Sequence, residues 1–131
     1  MWIFTKTGFI SAVETRSGSE TLTVRARNKK HLKQLASYTQ VQIANSPSGD
    51  YPYRVFVTKT EFAGFLASQA FEIDYTNFKA KISTQHQFEY LDALHDVWTV
   101  MHKVEDSEAR TNTPTWVPEK SSDAPQGGLN D

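Results

Sequence analysis

Four cations in this chain have neighbours that suit them to anion binding. Arg25 and Arg27 lie in VRARNKKHLK, residues 24–33, which holds five Lys/Arg and no acid. Arg54 follows Tyr53 in DYPYRV. Lys79 sits in IDYTNFKAKI, residues 73–82, together with Asp74, Tyr75 and Asn77. Guanidinium and ammonium groups beside phenol and amide donors suit a phosphate or another small anion. The first turn of a helix adds free N–H groups. Arg25, Arg27, Tyr53, Arg54, Tyr75, Asn77 and Lys79 are therefore the candidate ligand-binding residues. The IDYTNFK string also has a purely structural explanation, because Asp, Thr and Asn are the residue types that cap a helix start.

Catalytic chemistry has less to build on. The histidines are His31, His86, His95 and His102. His95 and His102 are seven apart and share a helix face. Asp92 or Asp96 would have to orient His95 if it acted as a general base. HExxH, P-loop, GxGxxG and GxSxG patterns are all missing. With no cysteine, disulfides, thiolate metal sites and cysteine nucleophiles are excluded. The expectation is a non-enzymatic protein with no cofactor and no metal site.

The elements that position these residues follow from periodicity and punctuation. Trp2 to Thr5 and Phe9 to Val13 read as two strands broken at Gly8. Leu22, Val24 and Ala26 alternate with Thr23, Arg25 and Arg27, a half-buried strand with a basic outer face. Asn28 caps a helix to about Ser37, with Leu32, Leu35 and Ala36 as its stripe. Val41 and Ile43 suggest a short strand, and Tyr53 to Val57 a strong one. Thr58 and Glu61 form a capping box for a helix carrying Phe62, Phe65, Leu66 and Ala70. Thr76 or Asn77 caps a short helix to about Ser83. A last helix, from about Gln87 to Val104, buries Tyr90, Leu91, Leu94, Val97, Trp98 and Met101. The order β-β-β-α-β-β-α-α-α predicts an α+β fold, an antiparallel sheet with helices on one face. Its middle portion is compatible with a ferredoxin-like split unit.

Composition divides the chain. Residues 1–104 hold 12 Lys/Arg and 9 Asp/Glu, whereas residues 105–131 hold 2 and 6. The first part is expected to be a single globular domain. The second is expected to be an acidic, Ser/Thr/Pro/Gly-rich disordered tail, with TPTWVPEK as a possible docking peptide. The opening Met1 to Lys6 is too short for a signal-peptide core, and no apolar run approaches a membrane span. A soluble cytoplasmic protein with no membrane partner is expected.

MWIFTKTGFISAV, LTVRAR, DYPYRV and IDYTNFK, taken in this order, resemble a family of small proteins from bacteria, actinobacteria especially, and from the tailed phages that infect them. The resemblance covers roughly residues 1–104. It brings with it no activity and no catalytic residues. It implies a bacterial or phage setting, such as that of a phage-encoded modulator of a host protein.

Sixteen Phe, Tyr and Trp complete the pattern. Phe56 alternates against Tyr53, Val55 and Val57, and Trp2 and Phe4 against Ile3, so some strands carry aromatics on both faces. An apolar second face implies a protein partner or self-association as a homodimer. A non-enzymatic interaction protein is the first functional expectation. The alternative is a binder of nucleic acid or a small phosphorylated ligand through Arg25, Arg27, Arg54 and Lys79.

Overall fold

A computed structural model describes residues 1–47 and 49–109. TPTWVPEK and nearly all of the expected acidic tail lie outside the described residues. The strands are β1 (Trp2–Thr5), β2 (Gly8–Glu14), β3 (Thr21–Ala26), β4 (Ala44–Asn45) and β5 (Tyr53–Thr58). The helices are α1 (Lys33–Thr39), α2 (Lys59–Phe71), α3 (Phe78–Thr84) and α4 (Phe88–Val100). The chain forms two compact units, Met1–Asp74 and a second beginning at Tyr75.

The first unit is built on a five-stranded antiparallel sheet of order β1-β2-β3-β5-β4. β3 and β4 each pair antiparallel with β5, so they run in the same direction with β5 inserted between them. β3–α1–β4 is thus a split crossover, as the middle portion of the sequence suggests. β2, arriving from the N-terminal side, pairs antiparallel along the other edge of β3.

Alternation sorts the two faces of the sheet. Ile10, Ala12, Val24, Ala26, Val55 and Val57 point to one side and are buried with Leu32, Leu35, Phe62 and Phe65. Burying each Ile, Val, Leu or Phe among them contributes about 1.5–3 kcal/mol. The opposite face carries Trp2, Phe9, Ser11, Arg25, Arg54 and Phe56 by the same parity.

Two local devices fix the ends of this core. Thr58 accepts from the Glu61 N–H at 3.1 Å, and Glu61 accepts from the Thr58 N–H at 2.8 Å, completing the expected capping box of α2. At the other end, the Phe9 N–H donates to His31 Nδ1 at 3.1 Å. Gly8, with φ at 149°, lies directly beneath the His31 ring, and any Cβ there would run into it. Glycine is what lets the imidazole close over the start of β2.

Three boundaries differ from the sequence reading. The first helix starts as a 3-10 turn, Lys29–Leu32, because Asn28 accepts from the Lys30 N–H, two residues on, at 2.9 Å. Val41 and Ile43 pack on the core ahead of the strand. β4 begins only at Ala44, where the Ser46 N–H bond to the Pro52 carbonyl, 2.7 Å, closes the loop. Pro52 has no N–H and joins the ladder only through that carbonyl.

In the second unit, Asn77 caps α3 by accepting from the Ala80 N–H at 2.8 Å. Ile82, Tyr90 and Leu94 are buried. α4 gives way at Met101 to a 3-10 turn, Met101–Val104, and Met101 is exposed instead of joining the buried stripe. No helix among the described residues is long and apolar enough to cross a membrane.

Thr58→Ala removes one half of the capping box and is expected to cost about 1 kcal/mol, read as a lower urea midpoint with an unchanged m-value. Burial lowers the His31 pKa from its ordinary 6.5, so the folded state resists protonation there. Stability should therefore fall as pH drops below about 6.5 and level off once the lower, folded-state pKa is passed. His31→Asn keeps an acceptor for Phe9 but does not titrate. Its urea midpoint should change less than the wild type's between about pH 7.5 and 5.5, and equal pH slopes would overturn this assignment.

Candidate functional site

β3 lies between β2 and β5 in a register that sets Ser11 opposite Arg25 and Arg25 opposite Arg54. Trp2 lies opposite Ser11 one strand further out. The row Trp2–Ser11–Arg25–Arg54 thus crosses four strands on the face away from α1 and α2.

Arg25 and Arg54 are directly opposed like charges, an arrangement that destabilises a sheet. The local offsets are neutral or aromatic contacts to Arg25. Arg25 Nη2 donates to Ser11 Oγ at 2.9 Å, a bond to a neutral group. The Nε atoms of both arginines are buried and find no hydrogen-bond acceptor. The ion pairs Lys6–Glu72, Lys59–Glu14 and His102–Glu105 do not reach an arginine of this face. Each buried donor left without an acceptor costs about 1–3 kcal/mol.

Tyr51 closes one side of the site. Arg25 Cζ is 4.5 Å and Arg27 Cζ 4.9 Å from its ring centroid. Arg27 Nε also donates to the Asp50 carbonyl at 3.4 Å, tying the loop that carries Tyr51 to the end of β3. Behind Tyr51 stands an aromatic chain. Phe9 is 6.5 Å from Tyr51, Phe4 stacks on Phe9 at 4.7 Å, and Trp2 meets Phe9 edge-on at 5.8 Å. The result is a flat cationic patch bordered by π surfaces, suited to a small oxyanion joined to a planar group.

The structure brings Arg25, Arg27 and Arg54 together, as three of the expected ligand residues. Tyr53 is not with them. It shares parity with Val55 and Val57 and packs against the core. Tyr75, Asn77 and Lys79 belong to the second unit. There Asn77 is occupied as a cap, and Tyr75 lies 5.9 Å from Phe78. Lys79 Nζ lies 4.6 Å over Trp98 and 3.5 Å from His95 Nδ1. The lysine therefore bridges α3 and α4. His95 faces an ammonium group, and among the described residues it has no hydrogen bond to Asp92 or Asp96. His95 and Asp92 do line one pocket, with Lys79, Phe88 and Leu91.

Sequence reasoning missed Ser11, Tyr51 and the position of Trp2. Ser11, a lone hydroxyl within the apolar run FISAV, is only 1% exposed and carried a usable signal. Tyr51 carried none. It has the same parity as Tyr53, but β5 starts only at Tyr53, after Pro52, so alternation does not extend to it.

No protein-family profile, curated protein or solved structure matches this chain.

Arg54 makes no side-chain hydrogen bond that its removal would orphan, whereas loss of Arg25 would strand the buried Ser11 hydroxyl. Arg54→Met is therefore expected to stabilise the first unit by about 1 kcal/mol, since it relieves the opposed charges and one unsatisfied donor. Arg25→Met should give less or none of that gain. Thermal unfolding of the two variants checks the order, and a destabilised Arg54→Met would contradict it.

Proposed function

We propose that this chain is a small non-enzymatic binding protein whose sheet face takes a phosphate-bearing ligand between Arg25 and Arg54. The observation that carries this reading is the cross-strand pairing of Arg25 with Arg54, each with a buried Nε–H that finds no acceptor among the described residues. Like-charged donors held side by side at a cost to stability are the arrangement that an oxyanion relieves. Ser11 and Tyr51 hold the Arg25 guanidinium in place.

A protein partner on the same face is the competing reading. Trp2, Val13 and Phe56 are exposed there and fit an apolar interface. Covering Arg25 and Arg54 with apolar protein surface would bury two charges without partners, a penalty of several kcal/mol. A phosphate removes that penalty, which favours the anion. The resemblance to bacterial and phage proteins suggests an accessory protein acting inside a bacterial cell.

The test is titration of the protein with inorganic pyrophosphate, followed through the arginine Nε–H resonances by NMR. Two of these resonances should shift together and saturate, weakening as salt is raised, and Arg54→Met should abolish the effect. Unmoved resonances, or binding that survives Arg54→Met, would overturn the reading. If an apolar or acidic protein fragment shifts them and pyrophosphate does not, the partner is a protein.

A further inference from the structure

We infer that the ligand is a single-stranded nucleic acid laid across the strands, with a phosphate between Arg25 and Arg54 and flanking bases on Trp2 and Phe56. This rests on the phosphate reading above and adds what surrounds the phosphate. Trp2 is 69% and Phe56 46% exposed, although both belong to sheet strands where a solvated face would carry Thr, Lys or Glu. Both share the face of the arginine pair.

Their placement is that of two platforms around one charge. Trp2 lies in the row of Arg25, two strands away, roughly 10 Å at ordinary strand spacing. Phe56 lies two residues beyond Arg54 on β5, about 7 Å along the strand. Trp2 is also anchored. The Met1 ammonium donates to the Ala12 carbonyl at 2.8 Å, the Ala12 N–H donates to the Met1 carbonyl at 2.8 Å, and Phe9 sets the tilt of the indole at 86°.

The ligand class follows from this geometry. A lone phosphate uses neither ring, and a mononucleotide uses one. Trp2 and Phe56 stand three strands and two residues apart, about 16 Å by ordinary strand spacing, so a strand of several nucleotides with a phosphate between the arginines uses both. A duplex keeps its base faces inside the stack, so it offers the rings nothing, whereas unpaired bases stack on aromatic side chains whatever their sequence. The arginines recognise backbone charge and the rings recognise base faces, so the expected binding is tolerant of sequence. With two principal phosphate contacts, salt dependence should be shallow, a slope of about −1.4 in log K against log salt.

The test uses the full chain and fluorescence anisotropy with labelled oligothymidine, oligouridine and a duplex of the same length, with unlabelled pyrophosphate as competitor. The expected result is single-strand binding, of DNA or RNA, at least about tenfold tighter than duplex binding. Trp2→Ala and Phe56→Ala should each weaken it about tenfold while pyrophosphate binding stays unchanged. Arg54→Met should reduce the salt slope by about 0.7. Equal affinity for duplex, or indifference to both aromatic variants, would overturn the inference. If pyrophosphate binds through Arg54 but single strands bind no tighter, the inference falls and the phosphate reading stands. If neither binds, both fall. Both substituted rings are exposed, and unfolding midpoints of the two variants confirm that any loss of binding is local.

Discussion

The antiparallel register of β3 governs both sides of the first unit. It sets Val24 opposite Ala12 and Val55 on the core side, and Arg25 opposite Ser11 and Arg54 on the other. A slip by one residue would turn two arginines into the core and Val24 out to water. The register is therefore held by the cost of burying charge as much as by the gain from burying valine. Bonds at the strand ends pin it further. The Lys59 N–H reaches the Glu20 carbonyl at 3.0 Å, and the Thr15 N–H reaches the Thr21 carbonyl at 2.9 Å. The former ties the start of α2 to the start of β3, so the capping box and the arginine row belong to one frame.

That frame makes the sheet asymmetric in chemistry. On the core side, adjacent strands meet through aliphatic contacts, the fully buried Val24 and Val55 among them. On the other side they meet through groups that gain little from one another. Ser11, Arg25 and Arg54 form one hydrogen bond between them. A sheet designed only for stability would fill those positions with β-branched residues. The core supplies enough stability for the outer face to carry charges that oppose each other, a common cost of a binding surface.

Much of this was legible in the sequence because period-two alternation is a backbone property. TLTVRA shows the core stripe and the basic stripe at once, and the α+β order follows from similar patterns and from the Thr58–Glu61 box. Other features depended on pairing. That Arg25 and Arg54, 29 positions apart, would stand side by side depends on the β3–β5 register, which no local pattern encodes. Tyr53 and Tyr51 exchanged roles for the same reason, since parity holds only within the strand. Lys79 looked available beside Tyr75 and Asn77, yet its chain reaches Trp98 and His95 on α4. A cation's neighbours in sequence do not reveal which aromatic it will cover.

The modest charge of this molecule bears on how such a face would act. Residues 1–74 hold nine Lys/Arg and six Asp/Glu, too even a balance for the long-range steering of strongly basic nucleic-acid binders. On the proposed reading, recognition would come from contact geometry: two arginines already desolvated at Nε, and a Trp2 ring already packed against Phe9. Preorganisation of Arg25, held by Ser11 and Tyr51, would lower the ordering cost of binding, because this side chain has little further freedom to lose. It also limits salt sensitivity, since few counterions are displaced. If the face binds an anion as proposed, it would discriminate by shape and stacking more than by charge, which is how a near-neutral domain could bind one without collecting every polyanion around it.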